Sequence, residues 1–214
     1  MKQMPALLAA LALPGAALAG VCAPAQVVHI VTRLDFPKVD PGTFAAKPQG
    51  LYRLGSGKIR SEEAPDREQN IQGLSVINEP DIWMANLLDG TGRHIIDPGP
   101  ELKAHAPIFA APDTAAALLD LEFGCVAEFM LAHSAGVARH ERLGEMTYDV
   151  RRLEDRGQAV ELLFEPGTGK PVLARYFKDG ALQVALRYEL YETGLPERQD
   201  LFSAPDGIEY RDQK

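Results

Sequence analysis

His133 and His140, with Glu141 beside the second, are the best-spaced metal candidates in the chain. On one helix they would stand seven residues apart, about 10.5 Å along the axis. Helical zinc ligands usually stand four apart, so one ion could not reach both. His29, His94 and His105 show no ligand spacing. Ser134 adjoins His133, but adjacent helical residues point in different directions and cannot work as a nucleophile and its base. Gly167-Thr168-Gly169-Lys170 looks like the end of a phosphate loop. The motif needs a glycine where Phe164 stands and Ser or Thr where Pro171 stands. No Gly-x-Ser-x-Gly elbow occurs. The carboxylates Glu62, Glu63, Asp66, Glu68, Asp120 and Glu122 lie among Lys and Arg and read as a solvated face. Nothing assembles a nucleophile, a base and an orienting group, so the expectation is a protein that is not an enzyme, with no metal and no cofactor.

Cys22 and Cys125 are the only cysteines. What they do depends on where the chain goes. Lys2 is followed by an apolar run from Ala6 to Leu13, a Pro14-Gly15 break, and Ala17-Leu18-Ala19. A positive start, a short apolar core and small residues at −3 and −1 make a secretory leader with cleavage after Ala19. A spanning helix needs about 20 apolar residues, more than this run supplies, so an integral membrane protein is not expected. Residues 1–19 are thus an address, and 20–214 are the periplasmic or secreted protein. An oxidising compartment favours a Cys22–Cys125 disulfide. Two free thiols, or a lipidated Cys22, are the alternatives; Val21 before Cys22 fits a lipidation signal poorly.

The remaining residues must be positioned by strands. With 214 residues, 46% apolar and 24% charged, the composition is globular and suits one domain. A net charge of −8 argues against nucleic acid as a partner. Leu182, Val184, Leu186, Tyr188 and Leu190 alternate with Gln183, Arg187 and Glu189, the pattern of a strand wet on one side. Val28, Ile30 and Leu34, then Met146, Tyr148 and Val150, then Val160, Leu162 and Phe164 repeat it. Further candidates are 71–77, 82–88 (with Trp83) and 93–96. Gly55-Ser56-Gly57, Asp89-Gly90-Thr91-Gly92, Gly167-Thr168-Gly169 and Asp179-Gly180 are hairpin turns. The count is roughly nine to eleven antiparallel strands in a mainly β protein. Two helical stretches interrupt it in mid-chain. One runs from Thr114 to Leu121 with Asp113 as N-cap. The other is Val126 to Arg142, with Val126, Phe129, Met130, His133 and Val137 at helical spacing.

Three passages carry a family likeness. They are Gly50-Leu-Tyr-Arg-Leu-Gly-Ser-Gly-Lys-Ile-Arg60, Ile82-Trp-Met-Ala-Asn-Leu-Leu-Asp-Gly-Thr-Gly-Arg-His-Ile-Ile96 and Asp200-Leu-Phe-Ser-Ala-Pro-Asp-Gly-Ile-Glu-Tyr210. In these and in the order of its features the chain resembles the LolA-like family of periplasmic lipoprotein carriers, with their LppX-type and RseB-type relatives. The resemblance implies an incomplete antiparallel barrel over residues 20–214, with mid-chain helices covering an apolar concave face. It also implies a lipid, acyl chain or lipid-modified protein as cargo, and a transient membrane-protein partner. Joined to the strand pattern, it puts Leu182, Val184, Leu186, Tyr188, Met146, Tyr148, Val150 and Trp83 on that face, under helices near Leu118 and Phe129. The alternative is a structural or sensor domain whose half-barrel has a packed core and no ligand.

Overall fold

The computed structural model describes residues 22–35, 39–40, 43, 46–99, 103–106 and 114–213. The leader and Asp113 lie outside these. Twelve strands form one sheet: β1 Val27–Leu34, β2 Gln49–Leu54, β3 Lys58–Glu63, β4 Gly73–Asn78, β5 Asp81–Asn86, β6 Thr91–Ile96, β7 Arg139–Leu143, β8 Met146–Asp155, β9 Gln158–Phe164, β10 Pro171–Lys178, β11 Ala181–Leu195 and β12 Glu209–Gln213. Their order is β12-β6-β5-β4-β3-β2-β1-β11-β10-β9-β8-β7. Two antiparallel meanders, β1–β6 and β7–β11, meet where β1 pairs β11, from Val27↔Leu195 to Leu34↔Leu186. Short turns make such meanders; at Asp179-Gly180 both residues take positive φ, which suits a two-residue hairpin. Only β12 runs parallel to its neighbour, β6. The end strands β12 and β7 do not pair with each other, so the sheet is open and is not closed into a barrel.

The helical content is smaller than the sequence predicts. Thr114–Leu121 supplies a single 3-10 turn, Ala116–Leu118. Helix α1 spans Val126–His133, and Ser134 already has extended backbone. Gly136 then takes φ +115°. Arg139–Leu143 becomes β7, because hydrogen bonding along β8 and a buried carboxylate on β9 outweigh helical spacing. His140 and Glu141 are therefore on a strand, far from any helical pairing with His133.

Residues in register share a face, so the sheet has an inner and an outer side. The inner side of β1 and β9–β11 carries Val28, Ile30, Val160, Leu162, Ala174, Tyr176, Leu186 and Tyr188, packed against Leu118, Leu121, Val126 and Met130 of the mid-chain segment. The outer side is sealed differently at each end. Leu201 and Phe202 pack with Val27, Tyr52 and Leu54, while Lys58 pairs Glu197 and Arg60 donates to the Leu201 carbonyl. Residues 196–208 thus strap the outer side and deliver β12 to β6.

Beyond the strap, Val150, Leu163, Leu173 and Ala185 are buried. Beside them lies a charged lattice. Arg139 grips Glu161 with both terminal nitrogens, at 2.7 and 2.8 Å, and Arg152 adds a bond at 3.0 Å. Arg175 grips Glu141, at 2.9 and 2.6 Å. The Arg175 and Arg139 bonds hold the Glu141 carboxyl below its ordinary range. Burial alone would raise Glu161, but bonds from Arg139 and Arg152 outweigh it and the net shift is downward. A depressed folded pKa gives stability that is full above the unfolded value, near 4.5, and is lost as pH falls through the folded value. Unfolding free energy should therefore drop with pH below about 4.5. Glu141→Gln should flatten that acid limb in urea titrations at pH 3 to 6; identical limbs would refute the assignment.

The mid-chain segment is anchored by a group that the sequence reading placed in solvent. Glu122 is 1% exposed, and its partner Arg53, on β2, is fully buried, with 2.9 Å between them. Arg53 also donates to the Phe123 and Cys22 carbonyls, each at 2.9 Å. The Ala104 amide donates to Glu122. Gly124 lies over the arginine stem with φ +91°, and a Cβ there would sit 2.8 Å from Arg53 Cδ. Three residues of the same short stretch thus meet one arginine side chain. Next to it Cys22 and Cys125 form a disulfide, with Cα atoms 5.8 Å apart. Among the described residues no helix is long and apolar enough to cross a membrane.

Candidate ligand-binding face

The residues singled out from sequence do not all meet. Leu186 and Tyr188 are buried in one cluster with Leu118, and Val184 and Phe129 pack against it half-buried. Leu182 is half-buried at the end of that row. Val150 and Tyr148 belong to the other side. Val150 pairs Leu163, and Leu163 points away from its neighbour Leu162 on a strand buried on both faces. Met146 is exposed beside them. Trp83 is also on the outer side, its ring stacked 5.4 Å from His94, which Asp81 holds at 2.7 Å. Period-two spacing sorts residues within a strand; register with the neighbouring strand decides which side of the sheet each set takes.

Beneath α1 the inner face is filled. Val160, Leu162 and Tyr176 are fully buried. The Tyr188 hydroxyl is buried without a hydrogen-bond partner among the described residues. Burial pushes the Tyr176 and Tyr188 phenols well above their ordinary range, so both stay neutral. Tyr191 borders them, its hydroxyl 3.2 Å from Glu128 on α1.

The same inner face continues past that cover. One register row runs Ile30, Leu51, Ser61, Ser75, Met84, Arg93 and Arg211 across β1 to β6 and β12. The next runs Arg53, Ile59, Ile77, Ile82 and Ile95. Over β4–β6 and β12 these rows border an open groove of ≈530 Å³, lined by Glu63, Ser75, Met84, Asn86, Arg93, Ile95 and Arg211. Met84 is 49% exposed there. Gly73 keeps one wall low, since a Cβ would lie 2.2 Å from Glu63 Oε2. The sequence reading marked these strands and missed the groove. Alternation within Ile82–Met84 and Arg93–Ile95 was visible, but only register aligns the rows.

Ser134 donates to the Met130 carbonyl and His133 Nδ1 faces the Phe129 carbonyl, so each caps the helix end. No three His, Cys, Asp or Glu side chains gather to hold a cation among the described residues.

No family model matches the chain, and no curated protein matches it. Solved structures do. An uncharacterised conserved protein from Thermus thermophilus aligns over 88% of this chain and 91% of its own, at 13% identity and TM-score 0.47. Two crystal forms of PNGF-II align over 88% of this chain, at TM-scores 0.31 and 0.28 and 11% and 10% identity. This chain spans about a third of PNGF-II, 32% and 31% in the two forms.

Proposed function

We propose that this chain is an exported binding or carrier protein for a hydrophobic ligand such as an acyl chain, taken up on the open part of the inner face. One observation carries the reading: past its helical cover the inner face opens into a groove of ≈530 Å³ beside Met84 and Ile95. That volume falls within the roughly 300–1,000 Å³ of small-molecule sites. Support comes from the likeness to LolA-like carriers, whose half-barrel with helices over a concave face this sheet would be. The leader and the disulfide suit the periplasm or another oxidising compartment. A lipid-modified protein as cargo and a membrane-protein partner belong to the same proposal. The rival reading, a structural or sensor domain with a packed core, is favoured by the full burial of Val160, Leu162 and Tyr176 beneath α1.

A fluorescent fatty acid separates the two. Met84→Trp should fill the groove and abolish uptake with stability within about 0.5 kcal/mol of the parent, since the site is exposed. Leu186→Trp should cost ~1–3 kcal/mol by overpacking and leave uptake by the folded protein intact. If the unmodified protein takes up no acyl probe, the packed domain is the correct account.

A further inference from the structure

Within this ligand-binding reading, we infer that Arg93 and Arg211 are the receptor for the oxyanion head group, carboxylate or phosphate, of a single-chain acyl amphiphile. The two residues are in register on parallel neighbours β6 and β12, on the inner face and in the groove wall. Neighbouring strands are about 4.8 Å apart, so two guanidinium groups project side by side. Like charges opposed across strands destabilise a sheet unless something neutralises them. Neither arginine has an ion-pair partner among the described residues, although the chain carries a net charge of −8. Arg53, Arg139, Arg152, Arg175 and Arg187 each meet a carboxylate. Two positive charges without an ion-pair partner among the described residues therefore stand together where the open groove begins.

The surroundings choose an amphiphile over a free anion. Guanidinium forks match the flat, two-oxygen edge of a carboxylate or phosphate. Ile95 stands next to Arg93 along β6, and Met84 and Ile71 add further apolar side chains to the same groove. A head group held by Arg93 and Arg211 thus lays its chain over these apolar side chains, along the groove. Glu63 lines the far side of the groove and repels an anion bound the other way round.

Laurate, dodecyl phosphate, neutral 1-dodecanol and inorganic phosphate are titrated by calorimetry at low and high salt. Laurate and dodecyl phosphate should bind at least about tenfold more tightly than dodecanol, with the margin shrinking as salt rises. In the double variant R93Q/R211Q both anions should fall to the dodecanol affinity, while dodecanol itself is unchanged. Circular dichroism and the melting temperature confirm that the variant, altered only at exposed residues, is folded. Equal affinity of all three amphiphiles, or anion affinity indifferent to R93Q/R211Q, would overturn the head-group assignment and leave the hydrophobic site standing. Inorganic phosphate binding as tightly as dodecyl phosphate would overturn the amphiphile in favour of a free oxyanion. No binding by any of them would remove the ligand-binding reading together with its head-group receptor.

Discussion

Arg53→Met should lower the unfolding free energy by about 3–5 kcal/mol, the usual cost of stranding one member of a buried ion pair. Glu122 would then sit 1% exposed with no cation, and the Phe123 and Cys22 carbonyls would lose their donor. The pair itself is a different matter. Two buried charges lose hydration that their attraction only partly restores, so an apolar pair of similar volume can be as stable. The double variant Arg53→Met/Glu122→Met should therefore recover much of the loss. Urea unfolding of the two variants decides it. A single-variant cost below about 1 kcal/mol would mean that the guanidinium is not what holds residues 122–124 to β2.

Cys125→Ser should cost roughly 2–5 kcal/mol, because the bridge closes a loop between residues 103 apart and the open chain regains that freedom. It should not add simply to Arg53→Met. The disulfide and the arginine both fix Cys22 to the same stretch, one through sulfur and the other through the Cys22 carbonyl. Removing either loosens what the other holds, so the double variant should depart from the sum of the singles, by about 0.5–3 kcal/mol for coupled neighbours. Non-reducing and reducing denaturation series give the comparison directly. Strict additivity would show two independent ties.

What the sequence could reveal divides along physical lines. Alternation in Leu182–Tyr188 reports one strand's wet and dry sides, because water acts on each residue separately; that element was readable, as were the hairpin turns. The side occupied by Tyr148 and Val150 depends on pairing with Leu163, on a strand buried on both faces, and no local signal carries it. Val126–Arg142 read as one helix since Val126, Phe129, Met130, His133 and Val137 keep helical spacing, yet Glu161 draws Arg139 into a strand from another part of the chain. Glu122 looked solvated for the same reason: it is an ordinary charged residue until the fold brings it 2.9 Å from Arg53. Arg93 and Arg211 sit on strands far apart in sequence that only the β12–β6 pairing joins.

The seam between the meanders also dictates an order of assembly. β1 is near the beginning of the chain, and one of its two neighbours, β11, is near the end. β1 can dock with β2 through a short-range closure as soon as both exist, but its other edge stays open until Ala181–Leu195 arrives. Contacts this distant are the slow ones in folding, since the chain must lose loop entropy before they form. A chain emerging in the N-to-C direction would thus present the apolar edge of Val27–Leu34 unpaired for the longest time, the condition under which strands join the wrong partner. Holding that edge apart until β11 is delivered is a task that falls to chaperones, or to speed.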